Sequence, residues 1–491
     1  MKTKNTTLRR VWAGVAAVAL GVTGAAAVGG AAMAADGPDQ PGAPTEGTLT
    51  INKYAGGPLA TGELLDGREK LNGVEFTVTQ VGRNVGGVCT AIDLTDAADW
   101  AGLDGLFASA PAEPASPFCL TTVAQDDVTV GGQVVFDLAV GVYFVQETDP
   151  GDNPIVSAVP NFYVSIPTSE GADGAGWNYD VVADPKNQLM EGPTKTIEGQ
   201  PSGLVVGSNV TWPLSIPIPT LNNNDTFTTA SIYDTLDSRL TYVSSTMSIG
   251  STALVEGTHY DRSGNQVWTF NAAGRAILDA NQGETISLSL VTRVSGEFAN
   301  GDIPNNTYGS EFNGATVPGV PVPYTYWGQL RIQKNDDSSP VKGLKDAQFQ
   351  VFLPNSDGTC ETTAPATGSI ATGTSDVNGV VQWAGASPTN ALGLWIANSD
   401  TPLTNPSKVY CVYETVVPAG HTAVAFPAAQ TIRPGTVTSP NLTVVNAKVD
   451  GPDLPLTGAA GTLAMTLGGL ALVAVGGGAM VVSRRRRSVE G

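Results

Sequence analysis

Three sets of residues in this chain could do chemistry together. Lys334 ends the alternating run "LRIQK", Glu414 sits in "VYETV", and Asn446 sits in "LTVVNAK". Lys195 in "PTKTI", Asp234 in "SIYDTL" and Asn305 in "IPNNTY" repeat the combination, with Asn306 a rival for Asn305 and Asp237 a weaker rival for Asp234. Lys53 and Glu147 begin a third set whose amide is less obvious. An isolated amine, carboxyl or amide on a strand is expensive to bury. Burial lowers a lysine pKa and raises a carboxyl pKa, so a buried trio holds a nucleophilic amine beside a proton-carrying acid. The alternative is a scatter of ordinary surface charges. A further lysine, Lys186, stands directly after Asp184 and Pro185 in "WNYDVVADPKNQ", in a long region with almost no other basic residue.

The elements that must position these groups are strands. Short alternating runs recur, among them "GTLTINKY", "VEFTVTQV", "TISLSLVTRV", "AQFQVFL" and "KVYCVYETV", with Gly, Pro, Asn and Asp between them. One short helix is expected within residues 95–108. The spacing predicts an all-β chain of tandem immunoglobulin-like sandwiches. Two stretches look like copies of one fold, since each opens on a strand ending in lysine and contains Y-x-V-x-E-T. The expected organisation is a signal peptide at 1–35, an N-terminal domain at 36–190, a middle domain at 191–325, a C-terminal domain at 326–450 and a terminal signal at 451–491.

The ends imply export and anchoring. Lys2, Lys4, Arg9 and Arg10 precede an apolar run and an Ala32-Met33-Ala34 cleavage pattern, as in a secretory signal. The other end runs Leu454, Pro455, Leu456, Thr457, Gly458, then an apolar stretch to Val482 that is long enough to cross a bilayer, then Arg484 to Arg487. Removing the eight basic residues at the ends and Glu490 leaves 17 basic against 44 acidic side chains, a net charge near −27. No basic patch is available for nucleic acid. Export makes disulfides the expectation for Cys89, Cys119, Cys360 and Cys411, and proximity in sequence pairs Cys89 with Cys119 and Cys360 with Cys411. With no C-x-x-C spacing and only His259 and His421, no metal site or cofactor is expected. No nucleophile elbow or phosphate-binding loop argues for an enzyme.

The whole chain resembles the LPXTG-anchored major pilins, the shaft subunits of sortase-assembled Gram-positive pili and fimbriae. "LPLTG", the apolar span and the arginine tail look like a cell-wall sorting signal. "WNYDVVADPKNQ" looks like the pilin motif, with Asp184 where tyrosine is usual, and "YCVYETVVPAGH" looks like the E-box, with His421 where tyrosine is common. The resemblance implies that a sortase cleaves between Thr457 and Gly458 and passes the Thr457 carbonyl to the amine of Lys186 on the next subunit, an amine expected to be exposed just beyond a strand end. It implies intramolecular isopeptide bonds Lys195–Asn305 and Lys334–Asn446, assisted by Asp234 and Glu414. By analogy with "VVNAK" the N-terminal amide would fall on "VVADP", which has no asparagine, so Asn187 is left to serve with Lys53 and Glu147. In such a polymer the force would run through residues 186–457, making an N-terminal cross-link the least needed. The implied partners are identical subunits, pilus and housekeeping sortases and peptidoglycan, with a tip pilin and a host receptor left open. The implied location is the cell wall. A wall-anchored adhesin or tip pilin is the alternative, and Lys186 speaks against it because a tip needs no acceptor.

Overall fold

The computed structural model describes residues 37–449 except 58, 60–62, 171–175, 223–224, 296–300 and 305–306. The expected signal peptide, Leu454 to Gly458, the apolar span, the arginine tail, Asn305 and Asn306 lie outside the described residues. The protein is mostly β, in several sheets. It divides into two compact units. One comprises the chain up to Gly328 with Trp395–Ser407 and Arg433–Thr436, and the other comprises Gln329–Leu394, Lys408–Ile432 and the chain from Val437 onward.

Alternation decides which side chains become core. In Gln133–Ala139 every second residue is buried, so Val134, Phe136 and Leu138 point inward while Gln133, Val135 and Asp137 face water. Thr285–Val294 does the same with Ile286, Leu288, Leu290 and Val294. The helix expected within 95–108 is a short one, Leu103–Ala108, which buries Leu103 and Leu106.

Within residues 46–189 the first and last strands are neighbours. Glu46–Asn52 lies between Gln133–Ala139, antiparallel, and Asp180–Ala183, parallel. Both strands then step into a second small sheet. Tyr54–Ala55 pairs in parallel with Lys186–Leu189, and Lys186–Leu189 pairs antiparallel with Ile155–Ser157. The break falls at Lys53 on one strand and at Asp184-Pro185 on the other. Pro185 brings no amide hydrogen to the ladder, but its carbonyl accepts from the Tyr54 amide at 3.1 Å. Lys186 therefore opens a strand, where the sequence had suggested a position beyond a strand end.

Further along, five strands pair in the order Thr194–Lys195, Asn209–Pro217, Thr285–Val294, Leu240–Ile249, Thr252–Leu254. Five more follow the order Tyr260–Ser263, Val267–Phe270, Ala230–Thr235, Thr307–Phe312, Ala315–Pro318. Trp212 and Trp268 are fully buried in these sheets.

The second unit repeats the pattern of the first strands. Ile332–Asp336 pairs in parallel with Leu442–Lys448. A five-stranded sheet orders Val381–Trp383, Ala371–Ser375, Gln348–Phe352, Lys408–Val416 and Ala429–Ile432. The likeness extends to single hydrogen bonds. The Lys53 amide donates to Gly132 O at 2.8 Å and the Lys334 amide to Gly379 O at 2.7 Å. Both glycines have positive φ, 74° and 79°. At Gly379 a Cβ would meet Lys334 O at 2.0 Å, so a side chain is excluded on two grounds. The Lys53 and Lys334 carbonyls accept from Leu71 and Leu344, each at 3.0 Å.

Candidate functional site

Lys53, Glu147 and Asn187 come together in the core. Lys53 is wholly buried, and its Nζ lies 2.6 Å from Glu147 Oε2 and 2.5 Å from Asn187 Oδ1. Asn187 Nδ2 donates to Glu147 Oε1 at 2.6 Å, and Asn187 Oδ1 also accepts from the Val159 amide at 2.7 Å. The amide carbonyl is thus polarised from two sides while its nitrogen rests on the carboxyl. Burial pulls the Lys53 amine down to about 8, against the upward pull of Glu147. The Phe76 ring stands 5.5 Å from the same nitrogen.

Lys334, Glu414 and Asn446 form the corresponding set in the second unit. Lys334 Nζ is 3.6 Å from Glu414 Oε1 and donates to Val444 O at 3.3 Å. Asn446 Nδ2 donates to Glu414 Oε1 at 2.9 Å. Lys334 and Asn446 are fully buried. Burial lowers the Lys334 pKa and raises that of Glu414, where it outweighs the opposing charge of Lys334. Among the described residues Glu414 Oε2 and Asn446 Oδ1 have no hydrogen-bond partner, so this buried set is polar and incompletely satisfied there.

The two sets share one register. Lys334 is paired with Val444, and Asn446 lies two residues further on. Tyr54 is paired with Lys186, so Lys53 stands level with Pro185, and Asn187 again lies two residues further on. Glu147 faces Phe76, and Glu414 faces Phe349, each beside an irregularity in the ladder. This corrects the alignment drawn from sequence. "VVNAK" corresponds to "PKNQL", and the position of Asn446 is taken by Asn187. The proline-bearing step between two short strands hid the correspondence, because "VVADP" looks like the terminal strand until its pairing is known.

Lys195 and Asp234 are both fully buried, with Nζ 2.6 Å from Asp234 Oδ2. Lys195 Nζ also lies 4.1 Å from the centre of the Tyr308 ring. Burial brings this amine to about 8, with Asp234 opposing. The expected amide partners are among the undescribed residues. Asp237, the weaker rival, is occupied elsewhere: its carboxylate takes Arg239 Nε and Nη2, each at 2.7 Å.

Lys186 differs from the expectation of an open surface residue. It is only 6% exposed, and its Nζ donates to the main-chain oxygen of Asp184 at 2.6 Å. Burial lowers its pKa, with the Asp184 charge opposing. Its strand runs between two others: Lys186 is paired with Tyr54, and Gln188 and Leu189, just beyond it, are paired with Ser157 and Ile155. Asp184 is itself 2% exposed and accepts from Asn52 Nδ2 at 3.0 Å. Sequence reasoning passed over Asn52, whose only signal is its place before Lys53. The disulfides are Cys89–Cys119 and Cys360–Cys411, and no cysteine is free.

Residues 448–489 match the LPXTG cell wall anchor motif. The chain is 32% identical to fimbrial subunit type 2 of Actinomyces naeslundii, over 96% of both chains. It belongs to the fimbrial subunit family. This fimbrial subunit is a structural protein of the Gram-positive surface, anchored to the cell wall through its LPXTG motif. It is also 27% identical to fimbrial subunit type 1 of Actinomyces viscosus, over 85% of both. Its fold is similar to that of the full-length major pilin SpaD of Corynebacterium diphtheriae, with a TM-score of 0.56 at 24% identity, covering 83% of this chain and 98% of that one.

Proposed function

We propose that this subunit is the repeating unit of a fimbrial shaft, polymerised when a sortase joins the Thr457 carbonyl of one copy to Lys186 Nζ of the next. The observation that carries this reading is the Lys186 amine held on the Asp184 carbonyl, its pKa lowered by burial, in a chain whose C-terminal end carries the anchor motif. The sortase cysteine replaces Gly458 on the Thr457 carbonyl, giving a thioester. The neutral Lys186 amine attacks that carbonyl carbon, an N–C bond forms, and the C–S bond breaks with the thiolate leaving. The amine gives up two protons on the way from ammonium to amide, one of which restores the thiol.

The reading includes three tandem immunoglobulin-like sandwiches, about 36–190, 191–325 and 326–450, each closed by an intramolecular amide. The bonds are Lys53–Asn187, Lys195–Asn305 and Lys334–Asn446. In each, the neutral amine attacks the side-chain carbonyl carbon of asparagine, the acid carries a proton from the amine to the departing nitrogen, and ammonia leaves. Glu147, Asp234 and Glu414 are the acids. The distances around Lys53 support the first of these, and those around Lys334 the last.

The test is a blot of wall extracts from cells making the chain and its sortase. A ladder of high-mass species is expected, with Lys186 and Thr457 joined in the peptide recovered from it. A single band would instead make the chain a monomeric wall adhesin.

A further inference from the structure

The side chains around Asp184 form a connected set that neither the fold nor the cross-links require. Gln133 Nε2 donates to Asn52 Oδ1 at 2.9 Å, and Asn52 Nδ2 donates to Asp184 Oδ1 at 3.0 Å. The Asp184 main-chain oxygen then receives Lys186 Nζ at 2.6 Å. Asn52 ends one of the two parallel strands and Asp184 directly follows the end of the other, where both step from one small sheet to the next. A bridge there ties the two steps to each other.

The second copy of this arrangement makes the case specific. By the shared register, Gln333 takes the place of Asn52, Thr443 that of Asp184 and Val445 that of Lys186. Gln333 Nε2 turns instead to Asn335 Oδ1 at 3.0 Å and to Asn378 O at 2.8 Å, and Thr443 is exposed. The copy without a lysine at this position also lacks the bridge. The parallel pairing and the buried lysine set are present in both copies, so they do not depend on it.

We propose that the Asn52–Asp184 bridge is a positioning device for the sortase reaction, holding the Asp184-Pro185 step so that its carbonyl presents the Lys186 amine in one place. The proposal rests on the reading of Lys186 as the acceptor. A fixed amine is worth a large factor when it must meet an acyl-enzyme in a narrow range of angles. The fixed φ of Pro185 stiffens one side of the step, and the bridge stiffens the other.

The Asp184 carboxylate also acts on Lys186 through its charge, together with Arg68 and Glu63, which are themselves paired at 2.5 Å. The charge of Lys186 also acts on Lys53, whose pKa it lowers. Position and charge can be separated. Asp184→Asn keeps an oxygen for Asn52 and removes the charge. Asn52→Ala keeps the charge and removes the bridge.

The experiment follows pulse-labelled conversion of full-length monomer to ladder in cells making the chain and its sortase, across external pH. Asn52→Ala and Asp184→Ala are expected to slow conversion on the order of ten- to a hundredfold. Asp184→Asn should convert at close to the wild-type maximum, with its rising limb moved to lower pH because a carboxylate that retains the Lys186 proton is gone. The limb of Asn52→Ala should stay in place. If Asn52→Ala does not accumulate as folded monomer, Gln133→Ala, an exposed change that only loosens Asn52, should give an intermediate slowing. Conversion of Asn52→Ala, or of Gln133→Ala in its place, at the wild-type rate overturns the proposal. So does equal slowing in Asp184→Asn and Asp184→Ala. Lys186→Ala separates the two readings: a ladder that persists there removes the acceptor assignment, whereas its loss beside unaffected Asn52 and Asp184 variants removes only the positioning role.

Discussion

Lys53 Nζ lies 2.5 Å from Asn187 Oδ1, and the very next residue before that asparagine is Lys186. One strand of four residues, Lys186–Leu189, therefore carries both the proposed intermolecular amine and the proposed intramolecular amide. Alternation sends them to opposite faces, so the two chemistries share a backbone without competing for one site.

Intact mass should reveal the internal bonds. The wild-type ectodomain is expected to weigh less than its disulfide-corrected sequence by three molecules of ammonia. Glu147→Ala and Glu414→Ala should each restore one, and Asp234→Ala a third. Mass spectrometry of the unreduced protein checks this, and a wild-type mass with no deficit removes the cross-links altogether.

Lys186→Ala should abolish the ladder while monomer still reaches the wall through Thr457. Because the side chain is covered, its removal should lower stability by about 1 kcal/mol through lost packing of the stem, which thermal unfolding can measure. Lys186→Arg should fail equally as an acceptor, since a guanidinium stays protonated.

A variant that cannot form the first cross-link should show the buried amine in its pH dependence. Burial depresses the Lys53 pKa in the folded chain to about 8 against its ordinary 10.5, and Asn187→Ala is expected to keep that burial, so the unfolded variant binds more protons between these values. Stability should then rise as pH increases from about 8 to about 10.5, by on the order of 3 kcal/mol, and stay flat below 8. Urea unfolding at several pH values would test it, and a stability that falls over that interval contradicts the assignment.

Reduction of the disulfides should destabilise each host region by about 3–4 kcal/mol, because they close stretches 30 and 51 residues apart. Denaturant midpoints with and without reductant give the measurement.

Much of this arrangement was legible in the sequence because it rests on local alternation and on residue types that are costly to bury. Lys334, Glu414 and Asn446 stood out as polar groups inside apolar runs, and so did Lys195 and Asp234. Asn187 did not, because its role depends on parallel pairing with a strand some 130 residues earlier. The burial of Lys186 was equally hidden. Its place inside a strand depends on pairing with Tyr54–Ala55, a strand only two residues long and some 130 residues earlier. Asn52 carried no signal of its own, since an asparagine before a lysine is unremarkable until Asp184 is seen opposite.

The parallel pairing of Ile332–Asp336 with Leu442–Lys448 has a mechanical meaning. Adjacent parallel strands begin at one end of the ladder and finish at the other. Pulling backward on the start of the first strand and forward on the end of the last slides them past each other, so their hydrogen bonds resist in shear and share the strain at once. An antiparallel pair gripped at one end would unzip bond by bond. An amide between Lys334 and Asn446 would sit inside that sheared ladder as a rivet, and the strands could not slip by even one register step without breaking a covalent bond.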